Sequence, residues 1–422
     1  MKKQYDIVIA GGGVIGAACA YFLSKEKDLK IALVDLKKPG NASRASAGGL
    51  WAIGESVGLG CGVIFFKQMT QQRAEAEGID AADLPPMRPH ILPDCFFEFA
   101  LKSNDMYPAL WQELKDKHGV DFKFEKTGLK YIMYDKFDKL YADSIVEQIP
   151  GLAEQINWLS AEELAVDEPH INADAIGALE FACDHQVNPY RLNEAYLEAA
   201  RQNGVELFLQ TSVTGVEKQG NQITGVVTDA GTLSCNTMIN AAGAWAAELS
   251  EMATGVRIPV SPVKGQIILS ERLPQILKGC VSTTDCYIAQ KDNGEVLIGS
   301  TTEEKGFDTT NTLPEIRELA NGAMRCIPQL KQMNIKRCWA GLRPGTPDEL
   351  PVLGKMDGVE GYINACGHFR TGILTSAITG KLVNDLYRGL PLDIDITPFA
   401  YARFLKQENE QQQTPEVEEE LA

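Results

Sequence analysis

The first 35 residues carry the clearest separation of apolar and polar segments in the chain. Residues 5–10 (YDIVIA) form an apolar, β-branched run that predicts a buried strand, and residues 30–35 (KIALVD) predict a second one. Between them, residues 14–25 place small and apolar side chains at helical spacing. This order predicts a βαβ unit with parallel strands and a right-handed crossover.

Further elements of the same α/β kind are predicted between residues 190 and 248. Residues 190–203 have the periodicity of an amphipathic helix that ends at Gly204, and a strand follows at 205–209. The remaining elements predicted here are hairpin strands at 213–218 and 223–228 around Gly220, a buried strand at 237–240, and a helix that ends at Glu248.

Several segments alternate between apolar and polar positions, as half-buried strands do. They are residues 122–134, 177–182, 261–269, 285–290 and 296–300. We therefore expect an α/β protein of two domains, in which a mostly antiparallel β domain is inserted into a Rossmann-like domain with a parallel sheet. The predicted boundaries are 1–121, 186–258 and 339–406 for the Rossmann-like domain, with a last helix at 373–387, and 122–185 and 259–338 for the inserted substrate domain.

Composition and charge exclude several classes of protein. The chain has 422 residues, of which 44% are hydrophobic and 23% are charged, as in soluble globular proteins. The net charge of −17 argues against a nucleic acid partner and against attraction to anionic lipid. Part of that charge lies in residues 407–422, which are rich in Gln and Glu, have no basic residue, and are predicted to be a disordered acidic tail.

The cysteines and histidines are scattered. Ten cysteines form no C-x-x-C pair and five histidines form no H-E-x-x-H motif, so we predict no metal site and expect a reduced, cytoplasmic compartment.

Residues 47–66 are apolar for about the length of a membrane span, but they include Glu55 and six glycines. A buried or site-lining loop is the favoured interpretation, and peripheral contact with a membrane is the alternative.

A glycine motif follows the first predicted strand. Gly11, Gly13 and Gly16 have the spacing G-x-G-x-x-G and lead into a helix. The first glycine permits a tight turn, the second lets a pyrophosphate approach the backbone, and the third lets helix and strand pack closely. Asp35 ends the next strand, where a carboxylate can bind ribose hydroxyls. The motif predicts a bound dinucleotide without distinguishing FAD from NAD.

Two segments after the second strand are candidate parts of a site. Residues 43–49 (SRASAGG) contain small residues whose backbone can lie against a flat ring, although a surface loop would have the same composition. Gly54, Ser56 and Gly58 fit the nucleophile elbow of hydrolases. That motif needs a helix directly after it, and since glycines follow at 60 and 62 we expect no helix and no hydrolase.

Candidate substrate-binding residues lie in the second half of the chain. Alternation in the predicted strand 285–290 places Asp285 and Tyr287 on one face, which suits a pocket but equally an exposed sheet face. Arg343 lies in the rigid segment WAGLRPGTP, and Arg370 lies in GHFRTGI. A guanidinium can hold a carboxylate by two parallel hydrogen bonds. From the sequence alone, structural arginines that bind loop carbonyls are an equal alternative.

These motifs together resemble the D-amino-acid oxidase family of flavin-dependent oxidoreductases, and most of all its glycine oxidase members. The resemblance covers residues 5–388 and rests on YDIVIAGGGVIGAACAYFL, SRASAGGL, MINAAGAWAAEL, PVKGQ, WAGLRPGTPDELPVLG and GHFRTGILTSAITGKLVNDL. The chain departs from glycine oxidase at Asp285, where that enzyme has a histidine, and over residues 50–87.

The resemblance implies FAD as the cofactor and assigns residues to it. It implies that Arg343 binds the substrate carboxylate, that Tyr287 is its partner, and that Arg370 and Asp285 lie in the same pocket. The implied FAD-binding residues are Gly11, Gly13, Val14, Ile15, Gly16, Asp35, Leu36, Ala42, Ser43, Ala47, Gly48, Gly49, Val213, Ala242, Gly243, Trp245, His368, Phe369, Arg370, Thr371, Gly372, Ile373 and Leu374.

The implied activity is oxidation of a small amino acid, namely glycine, a D-amino acid or a secondary amino acid such as a D-proline. A hydride would pass from Cα to flavin N5 and leave an imino acid. The main alternative is an amino-acid or opine dehydrogenase subunit that passes electrons to a carrier or quinone. An NAD(P)-dependent dehydrogenase and a flavin-containing subunit without turnover stay open as well. So does assembly, either as a homo-oligomer or with a heteromeric electron-transfer partner.

Overall fold

A computed structural model describes residues 3–59, 61–78 and 88–405. Its strands, in chain order, are β1 (Lys3–Gln4), β2 (Ile7–Ala10), β3 (Ile31–Asp35), β4 (Gly49–Leu50), β5 (Leu129–Met133), β6 (Ile156–Ser160), β7 (Gly177–Phe181), β8 (His185–Gln186), β9 (Glu206–Leu209), β10 (Val213–Gln219), β11 (Gln222–Thr228), β12 (Gly231–Ser234), β13 (Thr237–Asn240), β14 (Ser261–Arg272), β15 (Cys280–Ser282), β16 (Tyr287–Gln290), β17 (Glu295–Gly299), β18 (Ile335–Gly345), β19 (Val352–Lys355) and β20 (Tyr362–Cys366). Its α-helices are α1 (Val14–Ser24), α2 (Ala42–Ala45), α3 (Ala52–Ser56), α4 (Cys61–Glu77), α5 (Asp94–His118), α6 (Lys136–Gln148), α7 (Ala161–Asp167), α8 (Pro189–Gln202), α9 (Ala246–Thr254), α10 (Leu313–Cys326) and α11 (Gly372–Arg388). Short 3₁₀ helices are found at Pro150–Gln155, Gly243–Trp245, Pro328–Gln332 and Thr397–Phe399.

The predicted βαβ unit is confirmed and lies at the centre of a six-stranded sheet. In the described residues this sheet has the order β19-β20-β13-β2-β3-β9. The pairs from β20 to β9 are parallel, and the edge strand β19 is antiparallel. All four residues of β2 are buried, as expected of a parallel strand that is covered on both faces.

Helix α1 packs very closely against its surroundings because its small residues leave little between the backbones. A Cβ on Gly16 would lie 1.9 Å from the carbonyl oxygen of Gly11, and a Cβ on Gly380 of α11 would lie 2.9 Å from the backbone of Ala18. The third glycine of the motif therefore serves helix–strand packing. Helix α1 is held at a fixed distance from the strand end where the predicted cofactor binds.

The second large sheet confirms the expected antiparallel domain. In the described residues its order is β18-β14-β17-β16-β15-β5-β7-β6, with β5 and β15 as its parallel pair. The long strands β14 and β18 pair from Ser261 opposite Gly345 to Ser270 opposite Ile335. The predicted boundary at residue 339 lies inside β18, which belongs wholly to this sheet. The chain rejoins the six-stranded sheet at Val352.

The prediction of a loop over residues 47–66 is wrong in its backbone conformation. The segment contains α3 and the start of α4, although Trp51, Ile53, Val57 and Phe66 are buried as expected. Gly54 lies inside α3, where a Cβ would lie 2.5 Å from the Leu129 side chain, so this glycine serves packing and does not mark a loop.

Two of the predicted strands are shorter than expected. The strand predicted at 122–134 is reduced to β5, because the backbone has positive φ at Lys123 (57°) and Gly128 (68°) and cannot stay extended there. The strand predicted at 285–290 begins only at Tyr287. The Thr283 hydroxyl accepts hydrogen bonds from the backbone N–H groups of Asp285 and Cys286 and holds these two residues in a turn.

The predicted acidic tail, residues 407–422, lies outside the described residues. Among the helices that the structure describes, none combines the length and the apolar character that crossing a membrane requires. In the same ranges, no group of three or more His, Cys, Asp or Glu side chains could hold a metal ion.

Candidate active site

One long cavity passes between the two sheets. It begins at the glycine turn before α1, follows the ends of β3 and β13, and reaches β16 and β18. Most of the residues predicted for the site line it: Gly11, Gly13, Val14, Ile15, Asp35, Leu36, Ala42, Ser43, Ala47, Gly49, Val213, Ala242, Gly243, Trp245, Asp285, Tyr287, Arg343, His368, Phe369, Arg370, Gly372 and Ile373.

Four residues assigned to the cofactor lie behind the cavity wall. Gly16 packs on Gly11, as described above. Gly48 has φ of 84°, and a Cβ there would lie 2.2 Å from the Val187 carbonyl oxygen. Thr371 donates its hydroxyl to the carbonyl of His368, which closes the turn before α11. Leu374 is fully buried in the core. These four residues support the lining without belonging to it.

The turn at Gly11 to Gly16 fits the pyrophosphate of a dinucleotide. Gly11 has φ of 114°, which a glycine adopts without strain, and its missing side chain lets the backbone approach Ala241. A Cβ on Gly13 would point toward the Ser43 hydroxyl at 3.2 Å, and therefore into the space that residues 42–43 border. The cradle is formed by absent side chains next to a helix N-terminus, the usual arrangement for phosphate.

Helix α2 borders the same space. The backbone N–H of Val14 donates to the Ser43 hydroxyl at 2.9 Å, which joins α2 to the start of α1. The Lys38 ammonium lies 4.9 Å from the centre of the Trp245 ring, and that ring stacks on Phe307. With Asp35 and Leu36 at the end of β3, these groups form an amphipathic end of the cavity that suits an adenosine.

His368 is buried at the opposite part of the cavity, at the start of α11. Its Nε2 lies 3.0 Å from the Thr379 hydroxyl. Burial lowers the pKa of His368 to about 3, so the ring is neutral at physiological pH. The next residue, Phe369, has φ of 45° and donates its backbone N–H to the carbonyl of Pro344. This bond fixes the turn against β18.

Arg343 is held in the wall by neutral partners. Its Nη2 donates to the Ser300 hydroxyl at 2.6 Å, and its Nη1 donates to the carbonyl of Thr301 at 3.1 Å. A Cβ on Gly265 would lie 2.2 Å from Nη2, so only a glycine in the neighbouring strand leaves room for the guanidinium. No carboxylate of the described residues forms an ion pair with Arg343.

Two aromatic residues cover the Arg343 end. The rings of Trp51 and Tyr287 meet edge to face, with centroids 5.5 Å apart. Burial raises the pKa of the Tyr287 phenol, while the positive charge of Arg343 acts to lower it. The phenol is therefore protonated at neutral pH and can donate a hydrogen bond to a ligand of Arg343.

Arg370 differs from Arg343 because carboxylates surround it. Its Nε lies 3.1 Å from Glu55 Oε2, and its Nη2 lies 3.5 Å from Glu349 Oε2. The Arg370 and Glu55 side chains are only 9% and 13% exposed, so this pair is shielded from solvent. The two candidate arginines therefore have different surroundings.

Asp285 lies at the edge of the cavity, outside β16. Its carboxylate pairs with Arg325 of α10 at 3.2 Å, and its side chain is 38% exposed. The expectation that Asp285 and Tyr287 share a strand face is therefore wrong. The strand begins two residues later, and Asp285 turns toward α10.

Sequence reasoning missed Glu55 and Trp51, which both line the cavity. Both lie in the apolar segment for which the sequence predicts a loop. The signal that could have found them was Glu55 itself, a single carboxylate within a run of apolar and small residues. Such a group is buried only with a partner.

Comparisons with known proteins cover nearly the whole chain. The model of a family described as FAD dependent oxidoreductase (DAO) matches residues 6–386. The chain is 65% identical over 406 residues to the hydrogen cyanide synthase subunit HcnC of Pseudomonas protegens, covering 96% of this chain and 97% of that protein. It is 30% identical over 388 residues to the glycine oxidase of Bacillus subtilis, covering 92% and 94%. The solved structure of glycine oxidase from Geobacillus kaustophilus is 29% identical, with a TM-score of 0.82 over 95% of this chain and 99% of that one.

Proposed function

The chain belongs to the DAO family of FAD-dependent oxidoreductases, and on this basis we propose that it is the glycine-oxidising subunit of a hydrogen cyanide synthase. The observation that carries the proposal is the near full-length identity of 65% to a subunit of that enzyme, against 30% to a glycine oxidase of similar length. FAD is the cofactor of the family, and the cavity with its glycine cradle fits it.

The proposed reaction sets the electron balance. Glycine yields hydrogen cyanide and carbon dioxide when it loses four electrons and four protons, that is, two successive two-electron oxidations. Bound FAD accepts two electrons at a time as a hydride equivalent. The protein must therefore hold the substrate carbon within reach of the flavin ring of the cofactor. The first two electrons must pass from the reduced cofactor to another acceptor before the second oxidation can take place. In a synthase made of several subunits, another subunit could supply the acceptor for these electrons.

Arg343 is the group that we assign to the substrate carboxylate. Its guanidinium lines the cavity and bonds only neutral groups of the described residues, so it retains donors and an uncompensated charge for an anion. Arg370 is already flanked by Glu55 and Glu349. A carboxylate bound to Arg343 lies beside the protonated Tyr287 phenol, which can donate a second bond.

Positioning is the main contribution of these side chains. Two hydrogen bonds from a planar guanidinium fix both the place and the rotation of a substrate as small as glycine. Trp51 and Tyr287 close the pocket over it and keep water away from the reacting carbon.

Anaerobic bleaching of the flavin tests the substrate. Purified holoenzyme is mixed without oxygen with glycine, D-alanine, D-proline, sarcosine or an opine, and the visible flavin absorbance is followed. We expect glycine to bleach the flavin fastest, and cyanide to be released when an artificial acceptor such as phenazine methosulfate is added. Bleaching by another amino acid but not by glycine would refute the assignment.

The electron acceptor is tested in the same preparation. Once glycine has reduced the flavin, we compare the rate at which oxygen restores its colour with the rate given by the artificial acceptor. For a dehydrogenase subunit we expect the acceptor to be much faster. Rapid recovery in air with hydrogen peroxide, and no cyanide with the acceptor, would instead indicate an oxidase like the glycine oxidases.

A further inference from the structure

We infer that Glu55 receives the ammonium group of the substrate and takes a proton from it before the Cα–H bond breaks. This inference rests on the proposed oxidation of an amino acid at Arg343 and adds a second recognition group to the pocket. Among the described residues that line the cavity around Arg343, the nearby carboxylates are those of Glu55 and Asp285. Asp285 lies at the edge of the cavity and pairs with Arg325, so Glu55 is the carboxylate that can bind the substrate ammonium group.

The first argument is that Glu55 is a buried carboxylate facing a cavity. Its side chain is 13% exposed and lines the same cavity as Arg343 and Tyr287. Burial raises the pKa of Glu55 above its ordinary value, and the charges of Arg370 and Arg343 oppose that rise. A carboxylate in such a place is costly to keep and is typical of a functional site.

The second argument is that Glu55 is held firmly in place. Asp184, fully buried, accepts hydrogen bonds from the backbone N–H groups of Ile53 and Gly54 at 3.0 and 2.7 Å and so anchors the start of α3. The Trp51 carbonyl accepts the backbone N–H of Glu55 at 3.0 Å. The short helix therefore presents the carboxylate from a fixed backbone, as a proton acceptor requires.

The third argument is charge. Arg370 lies between Glu55 and Glu349, so the three groups together carry one negative charge. Arg343 adds one positive charge without a carboxylate partner among the described residues. The pocket thus has a negative and a positive end, which complements a zwitterion such as glycine, with its ammonium toward Glu55 and its carboxylate toward Arg343.

The proposed step conserves protons and electrons. The zwitterion H₃N⁺–CH₂–COO⁻ gives one proton to the Glu55 carboxylate and becomes H₂N–CH₂–COO⁻, leaving Glu55 neutral. With FAD bound, the Cα–H electron pair would leave as a hydride to the cofactor while the nitrogen lone pair forms the C=N bond. The product is H₂N⁺=CH–COO⁻. Because the pKa of Glu55 is raised, it lies closer to the pKa of the substrate ammonium group, and this makes the proton transfer easier.

The pH dependence of the reaction separates this role from a structural one. Wild-type kcat/KM should fall at low pH as Glu55 takes up a proton, and should be level above that. In Glu55→Gln only glycine that is already deprotonated in solution can react, so kcat/KM should be at least about 100-fold lower at neutral pH. It should then rise about tenfold per pH unit up to the pKa of the free amine. Among the described residues, the other charged or titratable groups that interact with Glu55 are Arg343, Arg370, Glu349, Asp184, Tyr287 and Cys280.

Glu349→Gln is the matched control, because it also removes a carboxylate from Arg370 but leaves Glu55. It should keep the level region of the wild-type profile, and only the fall at low pH should move to lower pH, because the charge of Glu349 helps to raise the pKa of Glu55. Glu55→Asp should recover part of the rate together with the level region. Binding of acetate, which has a carboxylate and no amine, is measured by its effect on the flavin spectrum. The dissociation constant of acetate should change by no more than about twofold in Glu55→Gln.

Each result supports or refutes the inference. A level pH profile in Glu55→Gln, or a profile shift of the same size in Glu349→Gln, would show that Glu55 only pairs with Arg370. If Glu55→Gln does not fold, Glu55→Asp provides the test. The inference would be refuted if kcat/KM of Glu55→Asp rose with pH in the same way as the ionisation of the free amine. If no amino acid bleaches the wild-type flavin, the proposed function fails and the inference fails with it. If another amino acid replaces glycine, the same profiles are measured with that substrate.

Discussion

At the scale of single residues, the two arginines for which the sequence alone left a binding role and a structural role open are distinguished by their neighbours. Arg343 is held by a hydroxyl and carbonyls, and Arg370 by two carboxylates. Hydrogen bonds to neutral groups position a guanidinium without neutralising it, whereas ion pairs do both. A residue's capacity for an anion therefore follows from contacts that are distant in the sequence.

We predict that Arg343→Lys lowers kcat/KM for the amino-acid substrate by about 30- to 1,000-fold, which corresponds to about 2–4 kcal/mol. Lysine keeps the charge but cannot form the planar fork. FAD content, read from the visible spectrum, should stay normal. Arg337→Lys is the control, since Arg337 lies exposed on the same strand. If Arg343→Lys keeps near-normal kcat/KM or loses its flavin, Arg343 is structural and the clamp must be sought at Arg370.

We also predict that His368 makes the protein sensitive to acid. Its pKa is lowered from 6.5 to about 3 in the folded state, so between these values the unfolded chain binds a proton that the folded protein does not. Stability from this residue is present above pH 6.5 and is lost as the pH falls. The loss is about 2 kcal/mol between about pH 8 and about pH 5. Urea unfolding at both pH values should show this difference in the wild type and less of it in His368→Gln.

His90→Gln changes an exposed ring and serves as the control for that experiment. It should keep the wild-type loss of stability on acidification. The opposite result is that the wild type, His368→Gln and His90→Gln all lose the same free energy of unfolding on acidification. That result would mean that His368 takes up its proton in the folded protein as well, in a site that acid has opened to solvent.

At the scale of elements, the sequence predicts those helices and strands that are determined by residues close together in the chain. The unit β2–α1–β3 follows from apolar runs and three glycines near the start of the chain, and the structure confirms it. The turn that removes Asp285 from β16 depends on the Thr283 hydroxyl and on Arg325 of α10, forty positions away. Helix α3 is not evident in the sequence because Gly54 resembles a loop residue, while in fact it makes room for Leu129 of another strand. Contacts of this kind have no periodicity to detect.

The glycines of the first unit give a prediction at this scale. Gly16→Val should prevent stable folding, because even a Cβ would lie 1.9 Å from the Gly11 carbonyl oxygen. Gly13→Val should fold but bind no FAD, since Gly13 has an ordinary φ of −69° and its Cβ would point into the cradle near Ser43. Circular dichroism and flavin content measure the two effects separately. Equal loss of fold, or normal FAD content in Gly13→Val, would contradict the assigned roles.

At the scale of the whole molecule, two sheets meet along one cavity, and each contributes a different function. The six-stranded sheet brings the strand ends that face the predicted dinucleotide, and the eight-stranded sheet brings Tyr287 and Arg343. The segment of α3, which belongs to neither sheet, adds Glu55 and Trp51. The residues around Arg343 therefore come from three separate parts of the chain.

The charge of the whole chain leads to the last prediction, which concerns residues 407–422. This segment holds six of the 57 acidic residues and no lysine or arginine, so removing it changes the net charge from −17 to −11. It has no apolar period that could pack on the rest of the protein. A chain that ends at residue 406 should keep its FAD, its bleaching by substrate and a melting temperature within about 2 °C of the full chain. It should elute earlier from an anion-exchange column at neutral pH, because six fewer carboxylates bind the resin. A melting temperature lower by several degrees, or loss of substrate bleaching, would show that the segment packs on the body of the enzyme.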